Sequence, residues 1–181
     1  KEKYPECRLI NMYGITETTV HVTYKEITDR EINSNVSNIG RPIPTWATYV
    51  MDKDLNILPA GVPGELCVGG EGVARGYLNR PELTAEKFVQ HPDKPTERIY
   101  RSGDLVQILA DGELEYLGRI DRQVKVRGYR IELGEIENQL LDHSQITDVV
   151  VLDLDDDHGQ KQLVAYLVTD DDLKVSELRN Y

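Results

Sequence analysis

The sequence predicts an α+β protein in two parts, a β-rich stretch over 1–120 and a smaller α+β stretch over 121–181. Three observations predict it. Short alternating segments separated by Gly, Pro and Asp-Gly turn signals fill the first part. A charged joint, Arg119-Ile120-Asp121-Arg122, follows the last of them. Beyond it Val124 and Val126 alternate with Lys125 and Arg127 as on a strand, and past Gly134 the residues Ile136, Leu140 and Leu141 recur at helical spacing.

Taken in order, Arg8 to Tyr13 read as a strand ending at Gly14, and Val20 to Tyr24 as a second with clean alternation. Ile15-Thr16-Glu17-Thr18-Thr19 makes a polar loop between them; by itself such a tip is a surface turn. Residues 25–47 read as polar and turn-rich, with Arg41-Pro42-Ile43-Pro44 extended. Thr48 to Met51 and Glu65 to Val68 read as strands joined by the Gly- and Pro-rich loop 58–64. The run Gly69-Gly70-Glu71-Gly72 has neither the lysine nor the following helix of a phosphate-binding loop. Pro81 suits the first turn of a helix reaching Phe88. Tyr100 to Asp104 open a hairpin whose strands are Leu105 to Leu109 and Glu113 to Leu117, turned by Asp111-Gly112. After Asp121 the order is strand, a loop marked by Gly128, helix Gly134 to Leu141, strands Val149 to Leu154 and Leu163 to Val168, and a helix from Ser176. That order suits a small α+β layer.

The 181 residues allow one domain or two small ones. A formal net charge of -11 argues against a phosphate-tracking nucleic-acid binder, and no apolar run approaches membrane-spanning length. The acidic runs at Asp153 to Asp157 and Asp170 to Asp172 lack the glycine and terminal glutamate of a calcium loop, and read as solvated loops. Cys7 and Cys67 allow one bridge at most; a reduced, cytoplasmic protein is expected. The start, KEKYPE, carries no apolar signal segment and no initiator methionine, which reads as a piece of a longer chain.

Four strings lift the reading above fold class. Gly118 to Glu137, GRIDRQVKVRGYRIELGEIE, closely resembles the hinge and following loop of adenylate-forming enzymes, specifically the amino-acid-activating domains of nonribosomal peptide synthetases. Asn11-Met12-Tyr13-Gly14-Ile15-Thr16-Glu17 resembles the family signature N-x-Y-G-x-T-E, with Ile15 where the family usually has proline. GELCVGGEGVARGYLNRPELTAEKF is similar to a structural motif of that family, and Tyr100-Arg101-Ser102-Gly103-Asp104-Leu105 to its Y-R-[ST]-G-D-L string. The resemblance covers essentially the whole chain and implies the end of a large β-rich adenylation core joined by a hinge to a small α+β C-terminal subdomain. The family's upstream phosphate loop and its C-terminal catalytic lysine are not in this sequence.

Carried over by position, the resemblance implies that Asn11 bonds the adenine and that Tyr13 and Tyr116 stack on it, Gly14 belonging to the same nucleotide string. Thr16 would contact the α-phosphate, Glu17 would ligate Mg²⁺, Asp104 would hold the ribose, and Arg119 ribose and phosphate. The residue types fit: a carboxylate accepts hydroxyl protons and ligates hard cations, and a hydroxyl donates to phosphate oxygens. Asp121 would be the hinge and Gly128 part of the loop facing a thiol channel. Met12, Val20 and His21 fall in the amino-acid pocket and resemble the set of threonine-activating domains, although adjacent strand residues such as Val20 and His21 ordinarily face opposite ways. The implied cofactors are ATP, Mg²⁺ and a phosphopantetheine on a partner carrier domain, with a condensation domain in the same parent. Two rivals are an acyl- or aryl-acid ligase delivering to coenzyme A, and a noncatalytic interaction module that keeps only the fold.

Overall fold

Strands account for about half of the computed structural model, which describes residues 3–4, 6–34, 36–126, 129–156, 160–169, 173 and 178. By contacts the chain divides into two units, Lys1–Ile120 and Asp121–Tyr181.

The first unit carries an antiparallel sheet of β1 (Leu9–Tyr13), β2 (Thr23–Ile27), β3 (Asn38–Pro42), β4 (Trp46–Met51), β5 (Gly64–Gly70), β6 (Phe88–His91), β7 (Lys94–Ile108) and β8 (Leu114–Arg119). Its order is β1-β2-β3-β8-β7-β5-β4, with β6 pairing β7. Successive side chains of β5 point to opposite faces. Leu66 and Val68 join Tyr13, Val22, Ile39, Val50, Val106 and Leu114 in one core, while Cys67 joins Met51 and Ile99 on the other side.

The organising strand is β7. Its first half pairs β6 (Phe88↔Tyr100, Gln90↔Arg98) and its second half pairs β8 (Asp104↔Arg119, Ile108↔Leu114), while β5 runs along its other edge. The change of neighbour falls at Arg101–Gly103. There the register against β5 shifts and Gly103 takes φ +72°, a left-handed value that suits glycine. Asp104 therefore lies inside a long bulged strand, and its pairing with Arg119 opens the β7–β8 hairpin as the sequence predicts.

Residues 25–47 hold more order than their polarity predicts. They contain β3 and a one-turn helix α1 (Asp29–Ile32) closed by a capping box between Thr28 and Glu31. A second helix, α2 (Pro81–Lys87), starts at its proline and hands over directly to β6.

In the second unit β9 (Gln123–Val126) pairs β10 (Tyr129–Glu132), α3 spans Leu133–Leu141, and β11 (Ile146–Asp155) pairs β12 (Lys161–Thr169). Strand β10 was not legible behind the glycine. Leu133, Ile146, Val149 and Val151 form the core here. Glu137 of α3 accepts from the Arg122 guanidinium (2.7 and 2.9 Å) and from the Val151 N–H (2.8 Å). The Val151 N–H first, then Arg122, hold its carboxyl below the usual range. The helix expected from Ser176 and the loop at Gly128 lie outside the described residues.

Candidate active site

The loop after β1 is built by close backbone passage. A Cβ on Gly14 would stand 1.6 Å from the Val20 carbonyl oxygen, so only glycine lets the returning chain by. A 3₁₀ turn, Thr16–Thr18, follows, with Thr18 N–H and Oγ1 both donating to the Ile15 carbonyl at 3.1 Å. Thr19 (φ 54°) and Val20 (φ 75°) then reverse the chain through left-handed conformations that cost a non-glycine residue energy. Regular pairing resumes at Thr23, so Val20 and His21 precede β2 and escape the strand rule that sets neighbours on opposite faces.

This reversal leaves Thr16 exposed and Glu17 half-buried. The turn is tied from outside: Ala74 N–H donates to the Glu17 carbonyl and Thr19 Oγ1 to the Gly72 carbonyl, both at 2.8 Å. The Tyr77 hydroxyl donates to Glu17 Oε1 at 2.7 Å. Among the described residues no group of three or more His, Cys, Asp or Glu could cage a metal. Magnesium shared between one carboxylate and substrate phosphates needs no such cage, and Glu17 fits that mode.

A second cluster centres on Asp104, which is 1% exposed. The Tyr13 hydroxyl donates to Oδ2, and Arg119 Nη1 donates to Oδ1 at 3.0 Å. The Asp104 N–H is held by Ser102 Oγ (3.0 Å), which donates to the Leu66 carbonyl (2.6 Å). Gly103 N–H donates to Glu65 Oε1 (3.0 Å), and Glu65 pairs with Arg101 (2.7 Å). Burial first, and then the Asp104 charge, push the Tyr13 hydroxyl well above its ordinary range, so it stays a donor. The rings of Tyr13 and Tyr116 lie 6.4 Å apart at 39°, a spacing of direct ring contact. A base between them has to open that gap. Asn11 Nδ2 donates to the Asn38 carbonyl at 2.9 Å, and Asn38 in turn reaches Glu113 at 2.6 Å.

Residues 1–78 match the AMP-binding enzyme family. The chain is 57% identical to a plipastatin synthase of Bacillus subtilis (strain 168) over 182 residues, covering 99% of this chain and 7% of that protein. Residues 1–78 therefore carry the sequence pattern of that family. Among solved structures, this chain superposes on PA1221, an NRPS protein containing adenylation and PCP domains, with a TM-score of 0.84 and 30% identity over 98% of the chain and 36% of PA1221. It also matches AB3403, a four-domain nonribosomal peptide synthetase bound to AMP and glycine, at 44% identity and a TM-score of 0.58, over 94% of the chain and 13% of AB3403. It therefore spans well under two thirds of each of these relatives.

Tyr13, Asp104, Arg119 and Tyr116 meet at one place on β1, β7 and β8. Glu17 and Thr16 occupy the 3₁₀ turn just beyond β1, and Asn11 lies on β1 itself. Met12, Val20 and His21 are all exposed. Asp121 accepts the Gln123 N–H at 3.1 Å, a local turn in the second unit. Sequence reading missed the holding roles of Tyr77, Asn38 and Ser102, the last of which sits in the same string as Asp104. Tyr77 had a signal, a phenol inside GYLNRPELTAEKF, but its partner sits 60 residues earlier.

Proposed function

We propose that this chain carries part of the ATP site and of the amino-acid pocket of an adenylation module, and that the parent activates an amino acid, threonine foremost, as its aminoacyl-AMP. The observation that carries the reading is the meeting of Tyr13 and Arg119 on the buried Asp104 carboxylate, next to Tyr116 and one turn away from Glu17. AB3403, bound to AMP and glycine, supports the same pairing of ligands for this chain.

The chemistry follows from the side chains. Asp104 accepts from the ribose hydroxyls in exchange for its Tyr13 bond, and Tyr116 and Tyr13 flank the base whose edge Asn11 reads. Thr16 donates to the α-phosphate, and Arg119 steadies ribose and phosphate. Glu17 would hold Mg²⁺, which when bound would supply positive charge where negative charge builds on the phosphate oxygens. The amino-acid carboxylate oxygen attacks the α-phosphorus, and pyrophosphate leaves with the electron pair of the broken P–O bond. A phosphopantetheine on a carrier domain supplies the thiol that takes the acyl group from AMP, with a condensation domain downstream in the chemistry. Asp121 is the hinge between the two half-reactions, absorbing the change in a few dihedrals.

Met12 and Val20 offer apolar contact to the γ-methyl of threonine, and the His21 ring exchanges a hydrogen bond with its hydroxyl. A site built on such a bond rejects the analogue lacking it far more strongly than shape alone does. The test is pyrophosphate exchange by the parent module with threonine, serine, valine and 2-aminobutyrate. Threonine should exchange fastest, and His21→Ala should narrow its lead over 2-aminobutyrate. Valine or 2-aminobutyrate equal to threonine overturns the assignment.

A further inference from the structure

We infer that Tyr77 is a positioning residue for the cation site, fixing the Glu17 carboxylate through its hydroxyl; this rests on the reading of Glu17 as a Mg²⁺ ligand. Tyr77 lies between β5 and α2 and is clamped at both ends. Its N–H donates to Thr84 Oγ1 at 2.9 Å, and its ring meets Phe88 edge-on with centroids 5.3 Å apart. The hydroxyl reaches Glu17 Oε1 at 2.7 Å and lies 3.2 Å from the hydroxyl of Tyr100, a buried residue of β7.

A carboxylate only accepts, so the single Tyr77 proton goes to Glu17 and Tyr100 is the donor to Tyr77. The result is a directed relay, Tyr100 to Tyr77 to Glu17, anchored in the Ile15, Phe88 and Tyr100 cluster. The backbone of the turn has its own ties through Ala74 and Thr19. What the hydroxyl adds is the orientation of the carboxylate. Groups that orient a metal-ligating carboxylate change metal affinity without touching the metal.

Tyr77→Phe keeps the ring against Phe88 and removes only the hydroxyl. In the parent module the readout is the dissociation constant of Mn²⁺, measured by electron paramagnetic resonance with a saturating nonhydrolysable ATP analogue. The expected result is a rise of about tenfold or more, with unchanged metal-free nucleotide affinity and amino-acid KM. Glu17→Gln should raise the same constant at least as far. An unchanged constant in Tyr77→Phe beside a raised one in Glu17→Gln overturns the positioning role and leaves the Glu17 reading standing. An unchanged constant in Glu17→Gln overturns both. Should Tyr77→Phe not fold, Tyr100→Phe weakens the relay one step back and must raise the constant in the same direction; no rise there overturns the inference.

Discussion

Asp104 and its two donors are the place where single atoms decide most. Tyr13→Phe removes a buried bond to a charged acceptor, a loss of about 1.5–3 kcal/mol, and urea denaturation of the purified chain should report it. The same substitution removes the competitor for the ribose, so ATP affinity of the parent should hold or tighten while stability falls. Asp104→Ala has the opposite signature on ATP. It should raise the KM for ATP by the worth of charge-assisted bonds, about 1.5–3 kcal/mol, and Tyr116→Ala by about 1–3 kcal/mol of base stacking. An unchanged KM in both would overturn the assignment of this cluster. The two thiols offer a check away from the site. Burial pushes the Cys67 thiol up to about 12, whereas Cys7 is exposed. A raised folded pKa means the unfolded chain ionises first as pH climbs. The Cys67 contribution to stability should therefore be flat below about pH 8.5, the ordinary thiol value, and fall from there towards pH 12, and Cys67→Ala should remove that part of the slope. At pH 8 a disulfide reagent should titrate one thiol in the native chain and two after unfolding.

At the scale of elements, the loop between β1 and β2 is the one most constrained by a single residue. Gly14→Ala sets a methyl against the Val20 carbonyl and must push the reversal outward, at a cost of about 1–3 kcal/mol for overpacking. Hydrogen exchange should show the Val22 N–H, bonded to the Tyr13 carbonyl at 2.8 Å, losing protection first. The elements legible in sequence were those with strong punctuation: the Asp111-Gly112 turn, the Pro81 start of α2, the helical spacing of α3. Helix α1 was also written down, as Thr28-Asp29-Arg30-Glu31, a capping-box pattern hidden in a segment read as loop. Strand β10 was hidden because Tyr129–Glu132 offers too few residues to show an alternation after glycine. The single course of β7 was hidden because Ser102-Gly103-Asp104 has the composition of a turn, while the fold uses it as a bulge held by Glu65 and Leu66.

Across the whole molecule, the candidate residues were legible as strings in order, while what holds them was not. Tyr13 and Asp104 bond across 91 positions, and Glu17 and Tyr77 across 60. No local period carries such a pairing; it exists only once β1, β7 and β8 share a sheet. The apolar side chains left exposed on β1 and β11, Leu9, Ile10 and Met12 on one and Val150, Leu152 and Leu154 on the other, are equally invisible to strand patterning. The central claim is that these scattered groups serve one reaction, adenylation of an amino acid. Its most direct measurement is incorporation of labelled pyrophosphate into ATP by the parent module, with and without amino acid, in the natural sequence and in Glu17→Gln and Asp104→Ala. The account predicts incorporation that requires amino acid and Mg²⁺ and that drops in both variants. Incorporation that ignores the amino acid, or that survives both substitutions unchanged, would contradict it.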